Sequence, residues 1–146
     1  MNILALDTSM GLCSAAVLRT TASGETQGLR EAKMTRGHAE ALMPMVEAVL
    51  TAADLSPRAL DTIAATQGPG SFTGVRIAIA AARGLALTSR AALFGTDSLT
   101  VMARRALHEG LATDGPFAVA VDARRDVVYL GLFGPDGTRR DGPMLC

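Results

Sequence analysis

The seventeen residues NILALDTSMGLCSAAVL, starting at Asn2, lie without gaps over FAVAVDARRDVVYLGLF, starting at Phe117. In each segment an apolar run of strand character leads to an aspartate, Asp7 or Asp122, and a second strand-like run follows. Such self-similarity means that the chain begins one fold twice. It also limits what the rest can be. The second copy stops after its first hairpin, because GPDGTRRDGPMLC is turn-rich and offers no further helix. A two-strand hairpin is marginal alone. It must therefore join the first sheet or rely on residues or chains outside this sequence.

The residues between the copies complete the first one. Runs at 2–6 and 12–18 read as hairpin strands, and 28–32 as a weakly patterned third. From 38 to 53 the period changes: Leu42, Met45, Val46, Val49, Leu50 and Ala53 recur at three- and four-residue steps, which predicts a helix with one buried stripe. A strand at 60–66, a helix at 71–89, a buried strand at 91–95 and a helix at 98–107, opened by Asp97 or Ser98 as cap, follow. The order β-β-β-α-β-α-β-α implies a mixed α/β sheet with helices packed on it.

TQGPGSFTGVRIAIAAARGLAL, from Thr66, carries three glycines and a proline before a nearly uncharged helix. It is not a Walker A loop, since Val75-Arg76 follows Gly74 where Lys-Ser/Thr is required, and it is not a G-x-S-x-G nucleophile elbow. Gly68-Pro69-Gly70 makes a sharp turn, Ser71 serves as N-cap, and Gly74 permits close backbone approach. The same helix start, with Gly70 and Ser71, is also a candidate anion contact. Along the helix, Val75, Ala78, Ala82, Leu85 and Ala86 form a stripe suited to the sheet. Phe72, Arg76, Ile79, Ala80 and Arg83 form a second one, and Ala39 and Met43 are a similar excess on the earlier helix. A surface helix needs only one apolar face. The second stripes predict cover, either by another chain or by a larger body of the same protein.

Composition removes several functions. The 14 basic and 14 acidic residues cancel, which argues against a large nucleic-acid or anionic-membrane footprint. Lys33 is the only lysine, so a catalytic or phosphate-binding lysine has almost nowhere to be. Cys13 and Cys146 lack metal-ligand spacing and read as reduced cytosolic thiols, and no apolar run is long enough to cross a bilayer, so a cytoplasmic location is expected. Asp7-Thr8-Ser9, at a strand end, could meet a metal-bound phosphate or simply make a turn. His38-Ala39-Glu40 is not HExxH, His108 suits a helix C-terminus, and Asp122-Ala123-Arg124 reads as a turn.

Taken in order, ILALDTS, RGHAEALMPMVEAVL, GPGSFTGVRIAIAAARGLAL, GTDSL and VDARRDVVYLGLF resemble the TsaB family of tRNA threonylcarbamoyladenosine biosynthesis proteins, formerly described as glycoprotease-like. The resemblance spans nearly the whole chain. It implies the actin-like, sugar-kinase and Hsp70-like (ribonuclease H-like) fold, with residues 1–112 as the first domain and 113–146 as the start of a truncated second. It further implies a non-catalytic partner of TsaD, which transfers threonylcarbamoyl to N6 of adenosine 37 in tRNA. In related catalytic subunits an H-x-x-x-H pair binds metal; Ser98 and Met102 stand at the corresponding places, and neither replaces an imidazole for a hard metal. By the same resemblance the first two helices pair with TsaD, or with a second copy in its absence, through Ala39, Met43, Phe72, Arg76, Ile79, Ala80 and Arg83. A TsaE-like ATPase joins the complex, tRNA is met only through it, and ATP or ADP and metal belong to the complex. The rival expectation is an ATP-dependent phosphotransferase of the same fold, with Asp7 near the metal.

Overall fold

The computed structural model describes residues 1–112, 114–124 and 126–146, the side chain of Arg124 excepted. Its elements run β1 (Asn2–Asp7), β2 (Leu12–Thr21), β3 (Gly24–Lys33), α1 (His38–Ala52), β4 (Thr62–Thr66), α2 (Phe72–Ser89), β5 (Ala92–Thr96), α3 (Ser98–His108), β6 (Phe117–Arg124), β7 (Val127–Phe133) and β8 (Arg139–Leu145). A single 3-10 turn, Pro57–Ala59, precedes β4. Packing divides the chain into two compact units: Met1–Gln67 with Ser71–Gly95, and Gly68–Gly70 with Thr96–Cys146. The division does not follow the expected 112/113 boundary, because α3 packs on the strands that come after it.

In the first unit the sheet order is β3-β2-β1-β4-β5. β1 pairs antiparallel with β2 and parallel with β4, so the sheet is mixed, as the element order predicts. Alternation decides which face is buried. Leu4 and Leu6 lie opposite Val17 and Ala15 on one side and Ile63 and Ala65 on the other, and all six are buried. α1 covers β2 and β3 on this face, and α2 covers β4 and β1. The predicted α1 stripe supplies Leu42, Val46, Val49, Leu50 and Ala53 to the core, with Met45 packed at its edge. α2 contributes Ala78 and Ala82, flanked by Ile77, Ala81, Leu85 and Ala86, while Val75 stays outside the core cluster.

Strand β5 differs from expectation. It has the apolar sequence of a buried strand but lies at the sheet edge, with Leu93 53% and Phe94 60% exposed. A short apolar run does not reveal whether neighbours flank it on both sides.

The second unit holds a separate antiparallel sheet of order β6-β7-β8. Leu99 and Ala103 of α3 and Phe133 of β7 are fully buried together, and Phe117 stacks on Phe133 at 5.7 Å between ring centroids. The expectation of a two-strand hairpin in need of outside support is corrected here. Residues 139–145 form a third strand, and α3 supplies the apolar cover. Gly142-Pro143 hides that strand in the sequence, since proline suits a strand only at an edge, which is where β8 lies.

The repeat survives this correction and extends further. β1-β2-β3 and β6-β7-β8 are each a three-stranded antiparallel meander whose second strand is central. Their registers differ by one residue: Asn2 faces Arg19, whereas Phe117 faces Phe133, and an irregularity between Asp122 and Arg124 absorbs the difference.

Cys13 is buried and Cys146 is exposed. Burial, reinforced by the Asp7 carboxylate, pushes the Cys13 thiol above its ordinary range. Since the thiolate is the nucleophile, a thiol reagent at pH 8 is expected to label Cys146 in seconds to minutes and Cys13 only on unfolding. Mass spectrometry of the peptides checks this; equal labelling in the native protein would contradict it. A raised folded value also means that the unfolded chain ionises first, so this group's contribution to stability falls as the solution becomes alkaline.

Candidate functional site

The end of β1 and the start of α2 meet through a small set of polar groups within the first unit. The Asp7 Oδ1 accepts from the Ser9 N–H at 2.8 Å and from the Thr66 hydroxyl at 2.7 Å. The Thr8 hydroxyl donates to the Gly74 carbonyl at 2.6 Å, and the Ser71 N–H donates to the Ser9 carbonyl at 2.6 Å. Ser71 caps α2 as predicted, its hydroxyl accepting from the Gly74 N–H at 3.2 Å. Gly74 is required here for contact: a Cβ at this position would fall onto the Thr8 carbonyl oxygen. Glycine lets the helix backbone touch the strand connection.

This geometry says what the candidate polar residues do. Thr8 and Ser9 are fully buried, Asp7 and Gly70 are half-buried, and Ser71 is exposed. Thr8 and Asp7 spend their side chains on internal hydrogen bonds, and the arrangement locks a turn to a helix start. Among the described residues, no group of three or more His, Cys, Asp or Glu is placed to hold a metal. Because an amide oxygen accepts the same two bonds as Asp7 Oδ1, Asp7→Asn is expected to change stability by under about 1 kcal/mol, and Asp7→Ala to cost about 2 kcal/mol. Denaturant titration separates the two; equal losses would show that the charge matters.

The other candidates take local roles. His38 Nε2 lies 3.1 Å from the Met10 carbonyl and donates to it, tying α1 to the β1–β2 connection. His108 lies in the last turn of α3. Ser98 is buried, its N–H donating to the Gly68 carbonyl at 2.9 Å, and Met102 follows one helical turn later, half-buried. Asp97 is the cap of α3, accepting from the Thr100 N–H at 2.9 Å, and also pairs with Arg139, whose guanidinium lies 5.3 Å from the Phe133 ring centroid. Sequence reasoning missed Arg139, because the strand that carries it was read as turns.

The second stripes lie where the sheet is not. Phe72 is 74% exposed, and Arg76 lies over its ring at 4.2 Å. Ala80 and Arg83 are exposed and Ile79 is half-buried. On α1, Ala39 and Met43 are exposed. Leu87, 85% exposed, continues the α2 ridge and was overlooked, although the steps 72, 76, 80, 83 and 87 would have found it. No helix among the described residues is long and apolar enough to cross a membrane.

Residues 16–143 match the profile of the TsaD family, described as tRNA N6-adenosine threonylcarbamoyltransferase. The chain is 37% identical over 136 residues to the tRNA threonylcarbamoyladenosine biosynthesis protein TsaB of Escherichia coli, a match covering 93% of this chain and 56% of that protein. It is 35% identical over 135 residues to the TsaB protein of Bacillus subtilis, covering 91% and 55%. A crystal structure from Pseudomonas aeruginosa, of an uncharacterized protein with similarity to peptidase YEAZ, aligns with a TM-score of 0.86 at 37% identity over 99% of this chain and 65% of that one. The chain thus spans about half the length of the curated relatives.

Proposed function

The chain belongs to the TsaD family and is TsaB-like within it, and we propose that it is a non-catalytic subunit that binds and activates a TsaD-like paralogue. That paralogue transfers threonylcarbamoyl to N6 of adenosine 37 in tRNA. The observation that carries this reading is the exposed ridge of α2 with its neighbour on α1: Phe72, Arg76, Ala80, Arg83 and Leu87 beside Ala39 and Met43. Exposed Phe72 and Leu87 on α2 and Met43 on α1, two helices that touch each other, are the kind of apolar side chains that partners cover. Ser98 and Met102, at the places where catalytic relatives carry metal-binding histidines, support a role without chemistry of its own.

In this reading the partner complex acts in the cytoplasm and includes a TsaE-like ATPase. Its ATP or ADP and metal are held mainly outside this chain, tRNA is met only through the assembly, and a second copy takes the paralogue's place when it is absent. The test is reconstitution. Adding the purified chain to a TsaD-like and a TsaE-like protein with substrates should raise threonylcarbamoyladenosine in tRNA by at least about tenfold. No rise, or ATP turnover by the chain alone that Asp7→Asn abolishes, would favour the phosphotransferase instead.

A further inference from the structure

The C-terminal end of α2 borders an open cleft of about 520 Å³ in the first unit, lined by Arg58, Leu87, Thr88, Ser89 and Arg90. Arg58 comes from the 3-10 turn before β4, and Arg90 follows the last residue of α2. Among the described residues no ion pair or hydrogen bond engages either guanidinium. Asp61, the acid nearest to Arg58 in sequence, is already engaged, its Oδ2 accepting from the Asn2 N–H at 2.7 Å. The Thr88 and Ser89 hydroxyls both donate back to the Leu85 carbonyl at 2.9 Å, so they offer the cleft no proton. Its free side-chain donors are the two guanidiniums. A helix C-terminus favours a cation, which accounts for positive charge here. It does not account for the backbone of Arg90, which caps α2 in the left-handed region at φ 60. The other non-glycine residues with positive φ, among those described, are Asp54 and Asp126, and aspartate tolerates that region. Glycine is the usual residue at such a cap, since a Cβ crowds the backbone there. An arginine is thus kept where the fold alone favours glycine, beside a second arginine at the same cleft.

We infer that Arg58 and Arg90 form a clamp for the phosphodiester backbone of RNA, held in this cleft. A guanidinium fork pairs two N–H groups with two phosphate oxygens, and two forks share one phosphate or take adjacent ones. Exposure decides the kind of ligand. Arg58, Leu87, Thr88 and Arg90 are all exposed, whereas a small-molecule site buries most of its ligand. A polymer that runs along the surface and leaves one or two phosphates in the cleft suits so open a floor. Leu87 also belongs to the exposed α2 ridge, so RNA carried by a partner on that ridge would pass beside the clamp. Two arginines are too few to hold RNA tightly alone, which agrees with the balance of 14 basic and 14 acidic residues. The choice of RNA over another phosphate ester rests on the role proposed above, to which it adds a direct RNA contact by this chain.

Heteronuclear spectra of the full chain, titrated with a short single-stranded RNA, test it. The amides of Arg58 and of residues 87–90 should shift, with an affinity that falls about sevenfold between about 50 and 200 mM salt, as roughly two phosphate contacts require. Arg58→Ala and Arg90→Gly should each weaken binding at least about threefold. Arg30→Ala, at an exposed arginine of β3, should leave it unchanged. Arg90→Gly should also melt no lower than the wild type, because glycine takes the same backbone without the crowding. An arginine that only complemented the helix end would not lose RNA binding in this way. Inorganic phosphate and a mononucleotide are the comparison arms, and both should bind more weakly than the RNA. No shift at these amides, RNA binding unchanged in both cleft variants, or either small molecule binding as tightly as the RNA would overturn the inference. Failure of the wild type to raise threonylcarbamoyladenosine in the reconstituted system would count against the proposed function and not against the clamp, which the titration reads by itself.

Discussion

Gly74→Ala is expected to destabilise the first unit by about 3 kcal/mol, from overpacking against backbone and loss of a buried hydrogen bond. The added methyl would fall on the Thr8 carbonyl oxygen, and backbone cannot rotate away as a flexible side chain can. To make room, α2 must lift from β1, which stretches the 2.6 Å bonds from the Thr8 hydroxyl to the Gly74 carbonyl and from the Ser71 N–H to the Ser9 carbonyl. Gly84 is the control. It sits in the same helix, exposed, with open space where its Cβ would go. There the same change removes the helix cost of glycine and should stabilise by about 0.5–1 kcal/mol. Denaturant titrations of the pair measure both. A neutral Gly74→Ala would mean that this contact between helix and strand connection is not as close as described.

Phe133→Ala is expected to cost about 3–5 kcal/mol, the range for removing a fully buried aromatic ring. Phe133 has no exposed surface and sits among Leu99, Ala103 and Phe117, with the Arg139 guanidinium over its ring. Among the described residues few other buried side chains serve this unit, so a cavity here has little to collapse upon. Heteronuclear spectra should show peaks from β6, β7 and β8 losing dispersion while those of β1 and β2 persist. A folded second sheet in this variant would show that something other than this cluster holds it.

Much of this was readable from the sequence where periodicity is strong. The α1 stripe, the Ser71 cap and the mixed order of strands follow from residue spacing and capping chemistry, and the structure reproduces them. The role of Gly74 was readable in kind, since a glycine one turn into a helix implies close approach, but not in its partner, the Thr8 carbonyl. Three features were hidden for distinct reasons. β5 looks buried because apolar content does not report its place in a sheet. β8 looks like turns because Gly142-Pro143 breaks the alternation that marks strands. The Asp97–Arg139 pair joins residues 42 positions apart, and no local pattern signals it. The polar site followed the same division: DTS was visible as a motif, while the inward bond of the Thr8 hydroxyl to the Gly74 carbonyl, 66 positions away, was not.

Docking through α1 and α2 is the claim on which the functional account depends. The most direct measurement is a calorimetric titration of the chain into a TsaD-like paralogue, run with the wild type and with Met43→Glu combined with Ile79→Glu. The account predicts saturable one-to-one binding by the wild type, weakened at least about a hundredfold in the variant because two charges enter a desolvated contact, with little change in melting temperature. Equal binding by both proteins would contradict it.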